Sequence, residues 1–376
     1  MPKNKIFYID NLKVLMTILV ILHHSVITYG GPGSWYYLQK TTQQAALIPM
    51  TMFVSTNQSF FMGFFFFLSA LFIEPSYDKK GPARFLADRL KRFGIPLVFY
   101  SLVLSPILIY LSENFGRDEH LSFFQYMSGF HHWIDFGVLW FVAALLVFNL
   151  IYLLIRAILP APSPNRYPSS RPPSNLILLF FAILLGIISF FVRTVFPVGW
   201  TLSPLGFQLG HFTQYIALFW AGVIASRYKW LDNTDPRKGR AWALAAILLV
   251  LVGFPCIYLV KQITDCPIPW FSGGWHGQSF LYALWEQLTG ISIIIALTGW
   301  AKTRWNIQSP LLKELSRAAY GTYIIHPFFV ISFALLLRNW AIDPIGKLPI
   351  VAIASVVAGF GIAALLVRLP GIKKIL

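Results

Sequence analysis

Charge is scarce in this sequence. Only 12% of its 376 residues are Asp, Glu, Lys or Arg, about half the share of a soluble globular chain. Over this length most side chains have no water to face, which excludes an ordinary soluble enzyme. Cysteine is nearly missing too. Cys256 and Cys266 cannot build a disulfide framework or a four-ligand zinc site, and whether the two pair stays open. Acidic residues number 14 against 30 basic ones, a formal charge of +16. The basic residues stand in short clusters between apolar runs, so no nucleic-acid partner is needed to explain them. Walker loops, Gly-x-Ser-x-Gly and metalloprotease helices do not occur.

What is abundant is apolar: 57% of residues are hydrophobic and 17% aromatic, with mean hydropathy +0.65. Since about 20 apolar residues cross a bilayer as a helix, the sequence predicts spans near 12–29, 57–74, 94–112, 138–159, 175–193, 207–226, 241–260, 280–301, 320–337 and 348–367. The fold class is therefore an all-α integral membrane protein, one polytopic domain of about ten transmembrane helices. Alternate connections hold 24 of the 30 Lys and Arg residues, which places both termini in the cytoplasm. Lys3, Lys5 and the apolar run after them mimic a signal peptide. No small-residue cleavage site follows, and His23-His24 interrupt the exit, so this stretch reads as a retained first helix. Residues 160–174 carry six prolines among serines and read as a cytoplasmic linker. No internal repeat argues for an inverted-repeat transporter.

Polar residues at membrane depth are costly and mark function by default. His23 and His24 lie roughly 18 Å into the first helix, and adjacent residues point about 100° apart, so one of them can face a shared cavity. Histidine exchanges a proton near neutral pH; a packing histidine bonded to a carbonyl is the bland reading. Glu286 lies at a depth similar to His24 and would orient its imidazole; otherwise it is an interfacial carboxylate. Lys79–Arg92 is the densest basic stretch on the cytoplasmic side. Arg89 and Arg92 share a helix face there and suit phosphate, although contact with anionic membrane lipids explains the cluster equally well. Tyr320, Tyr323 and His326 recur at three-residue steps and face a partner or a cavity; structural packing is the safer reading of that stripe. His131-His132, His211 and His276 lack the spacing of a metal site and read as surface or loop residues.

Several segments together resemble the acyltransferase 3 family of membrane acyltransferases. Asp10-Asn11-Leu12-Lys13, followed after ten residues by His24, is similar to the family's first helix. Phe64-Phe65-Phe66-Phe67-Leu68-Ser69-Ala70, Arg89-Leu90-Lys91-Arg92-Phe93-Gly94-Ile95-Pro96, Leu139-Trp140-Phe141-Val142 and Ser316–Pro327 resemble later signatures in order. The pattern looks closest to the branch that succinylates periplasmic glucans. Lys13 stands where the family has Arg, and Ala70 where it has Gly.

The resemblance implies O-acyl transfer, in a bacterial cytoplasmic membrane, from cytoplasmic acetyl-CoA or succinyl-CoA to a carbohydrate hydroxyl at the outer side. His24 would be the general base, helped by Glu286. Lys13, Arg84, Arg89 and Arg92 would bind the phosphates of coenzyme A. His23, Tyr320, Tyr323 and His326 would line the substrate channel, and no metal would be required. Without an appended hydrolase-like domain, transfer would be completed within the membrane unit. Assembly of several copies stays open. Another class fits the same residues: a transporter or flippase for a small anion or lipid-linked sugar, with the histidine as proton relay. An inactive relative serving as a scaffold is a third reading.

Overall fold

The computed structural model describes residues 6–159, 170–233 and 235–375. Part of the proline-rich stretch, residues 160–169, lies outside the described residues, as do the first five residues with Lys3 and Lys5. Nine helices among the described residues are long and apolar enough to cross a membrane. In chain order these are α1 (Phe7–Thr28), α2 (Gln44–Lys80), α3 (Pro82–Gly116), α4 (Gly137–Ile158) and α5 (Asn175–Arg193), then α7 (Arg237–Thr264), α8 (Gly277–Arg304), α9 (Pro310–Leu336) and α10 (Pro344–Leu366). The helix between α5 and α7, α6 (Phe212–Arg227), is the exception to the sixth expected span. It has only 16 residues, preceded by a 3-10 turn at Leu209–His211.

Contacts at its two ends show that α6 still traverses the bundle. At its start, His211 meets Arg193 at the end of α5. Just past its end, the Trp230 indole donates to Ser170 Oγ at 3.1 Å, a few residues before α5 begins. The chain thus runs the length of α5 in reverse. A 16-residue helix covers about 24 Å and the turn adds about 6 Å, which suffices for a hydrocarbon core of about 30 Å.

Opposite rims of the bundle are tied by different chemistry. On the cytoplasmic rim, the Glu74 carboxylate accepts from Arg227 Nε at 2.9 Å and pairs with Arg156 at 3.4 Å, while Arg156 also reaches Asp78 at 3.0 Å. On the outer rim, Asp343 accepts from the Thr41 hydroxyl at 2.6 Å, and Arg338 donates to both oxygens of Asp118. Both cysteines are free thiols, Cys256 exposed and Cys266 buried.

Three prolines shape the long helices. Five-residue π turns at Leu90–Gly94, Tyr100–Leu104 and Leu249–Gly253 each end two residues before Pro96, Pro106 and Pro255. Proline lacks an N–H and its ring collides with the carbonyl four residues back. Widening the preceding turn relieves the collision inside a slab where no water can satisfy a freed carbonyl.

If α6 crosses, single cysteines at its two flanks must react from opposite sides. In a Cys256→Ser, Cys266→Ser background, Thr201→Cys should label with an impermeant maleimide on intact cells, and Asp232→Cys only after permeabilisation. Labelling of both from outside would mean that α6 turns back.

Candidate active site

The site begins with a spacing on α1. Eleven residues separate Lys13 from His24, a step of about 16 Å that leaves a net rotation of only about 20°. Asp10, Lys13, Thr17 and His24 therefore share one stripe, and His23 points elsewhere. Asp10, Lys13 and Thr17 line a cavity of about 480 Å³ that opens on the cytoplasmic side. Its mouth gathers Lys13, Lys80, Arg89 and Arg92; its inner wall is made by Phe65, Phe141, Val142 and Tyr323. The cations are held by rings as much as by acids: Lys13 sits 4.5 Å over Phe72, Arg89 lies 4.7 Å over Phe85, and Arg92 lies 5.7 Å over Tyr320. The Tyr320 hydroxyl in turn donates to the Arg92 carbonyl at 3.0 Å.

Behind Tyr323, outside the cavity lining, stand two hydrogen-bonded imidazoles. His326 is fully buried, with Nδ1 2.7 Å from the Tyr323 carbonyl oxygen. A carbonyl only accepts, so His326 Nδ1 carries the proton and its Nε2 is an acceptor. His24 Nδ1 lies 3.0 Å from that Nε2 and must donate to it. His24 is thereby left with a bare Nε2, the tautomer a general base requires. Trp35, from the outer loop between α1 and α2, stacks on His24 with centroids 4.0 Å apart and planes 13° apart.

The acyltransferase 3 family model, described as an acyltransferase domain, matches residues 6–368, nearly the whole chain. This chain belongs to the acyltransferase 3 family. No curated protein and no solved structure matches it. As a family member it is a multi-pass membrane acyltransferase, and the Lys13-to-His24 spacing puts a cation and an imidazole on one stripe of one helix.

Three expectations for this acyltransferase are corrected. Glu286 does not approach His24. Its carboxylate is claimed by the guanidinium of Arg193 and by His211 Nδ1 at 3.0 Å, all nearly fully buried. Similar depth in the membrane did not mean the same side of the helix, and His326 takes the orienting place. His23 does not line the cavity: the Asn57 amide donates to its Nδ1 at 3.3 Å, and Phe61 packs 5.0 Å away. Arg84 is exposed and outside the lining, where Lys80 stands instead. Lys13, Arg89, Arg92, Tyr320 and Tyr323 do line the cavity, and His326 sits one hydrogen bond behind it. Trp35 carried no sequence signal, being one aromatic in an outer loop. Arg193 was hidden among the outer-side charges, although a charged residue closing an apolar run is a reason to look for a partner.

Because Glu286 balances a buried guanidinium, Glu286→Gln should destabilise the protein by about 3–5 kcal/mol, seen as a lower melting temperature in detergent. An unchanged melting temperature together with a shifted pH–rate profile would instead tie Glu286 to the base.

Proposed function

We propose that this protein transfers an acyl group, acetyl or succinyl, from cytoplasmic acyl-CoA to a carbohydrate hydroxyl reached from the outer side of a bacterial cytoplasmic membrane. One observation carries the reading: a single cavity runs from four cations at the cytoplasmic mouth to Tyr323, whose carbonyl anchors the imidazole pair. Phosphates need cations, and Arg89 with Arg92 supplies planar guanidinium donors. About 16 Å of cavity and helix then separate Lys13 from His24, a distance for the slender arm that carries a thioester.

His24 Nε2 takes the proton from the acceptor hydroxyl as its oxygen attacks the thioester carbonyl carbon. The C–S bond breaks as the tetrahedral intermediate collapses, and the thiolate leaves with the proton held by His24. Ester and free thiol are the products, and the base is restored. His326 orients His24 by accepting from Nδ1–H, and spreads the charge that forms during proton transfer. The stacked face of Trp35 favours the same imidazolium.

Purified protein given acetyl-CoA or succinyl-CoA with a mixed carbohydrate pool should release thiol. His24→Ala should lower that rate by about 10²- to 10⁴-fold without loss of folded protein. His326→Phe should lower kcat and leave the KM for acyl-CoA near its original value, because it removes orientation rather than binding. Normal turnover by folded His24→Ala protein would sink the assignment of the base. Solute flux with no covalent change would replace the reading with that of a transporter.

A further inference from the structure

Two side chains on the cavity wall keep a buried polar atom that no other group in the described protein satisfies: Nε of Arg89 and Oδ1 of Asn149. They differ in kind and in place. Arg89 at the mouth offers an N–H that awaits an acceptor, while Asn149 offers an oxygen that awaits a donor. Asn149 is 2% exposed, on an α4 face it shares with Val142 and Leu145. Seven residues, about 10 Å, separate it from Val142 at the inner wall, and seven more from Arg156 in the cytoplasmic ion cluster. It therefore stands midway along α4 between the inner wall of the cavity and the cytoplasmic ion cluster.

The orientation of this amide is determined by its own helix. Asn149 Nδ2 donates to the Leu145 carbonyl at 2.6 Å. Turning the amide over would set two oxygens against each other, so the end left without a partner is the acceptor. Leucine or valine would fill this position in an apolar helix with nothing left unsatisfied, whereas a buried orphan oxygen costs about 1–3 kcal/mol.

We infer that Asn149 is a ligand-binding residue whose Oδ1 accepts from an amide N–H of the pantetheine arm of the acyl donor. The inference rests on the donor reading above and deepens it. Coenzyme A presents phosphates, then two secondary amides, then the thioester. The cavity presents unpaired N–H and cations, then an unpaired oxygen, with the histidine pair behind its inner wall. A phospholipid headgroup or a free nucleotide brings phosphate to the mouth but no amide arm to Asn149.

Calorimetric titration of the full chain in detergent with coenzyme A and with adenosine 3′,5′-bisphosphate separates the two halves of the ligand. Asn149→Leu and Asn149→Ala should each bind coenzyme A roughly 5- to 30-fold more weakly and bind the bisphosphate as wild type does. The alanine variant opens space, so its loss cannot come from a blocked cavity. Wild-type affinity of Asn149→Ala for coenzyme A, or an equal loss for both ligands, would overturn the role of Asn149 while leaving the donor reading intact. Wild-type protein that binds neither ligand would overturn the donor reading and this inference with it.

Discussion

A guanidinium with no surface open to solvent can exist inside a membrane only if the chain itself replaces water. Arg193 approaches that condition through the Glu286 carboxylate and the Gly210 carbonyl, with His211 donating to the other oxygen of Glu286, and so α5, α6 and α8 are locked at one depth. Breaking such a lock would strand a charge in a medium that cannot solvate it. The same constraint acts on the cytoplasmic rim, where Glu74 draws together the ends of α2, α4 and α6. Together the two locks fix both ends of the short α6, whose length with the preceding turn only just matches the hydrocarbon core.

Two unpaired polar atoms, Arg89 Nε and Asn149 Oδ1, belong to residues that line the cavity between α1, α2, α3, α4 and α9. Elsewhere in the interior, His23, Gln214 and Gln287 each find a partner in the chain. Close helix contacts support this pairing. A side chain at Gly290 would collide with the Ser59 carbonyl, so glycine there lets α2 and α8 touch and lets Gln214 donate to that same carbonyl at 2.8 Å.

The π turns of α3 belong to the same account. Pro96 and Pro106 would leave carbonyls stranded in a regular helix, and the widened turns absorb them. The first of these turns contains Arg92 and follows directly on Arg89, so the backbone irregularity that accommodates proline lies within the segment that brings both cations to the cavity.

The sequence by itself determined the membrane class, the positions of the spans and the orientation, because hydropathy and charge bias act locally along the chain. It also determined that Lys13 and His24 share a stripe, since both lie on one helix and helical periodicity relates them. Only the tertiary structure decided which polar groups meet across helices. Glu286 had two histidines near its own depth, His24 and His211, and depth says nothing about the direction a side chain faces; packing gave it to His211 and Arg193. For the same reason His326 became the partner of His24, Trp35 its cover, and Lys80 rather than Arg84 the fourth cation at the mouth. A pairing between helices depends on their rotation and contact order, and neither is written in the local pattern of either helix.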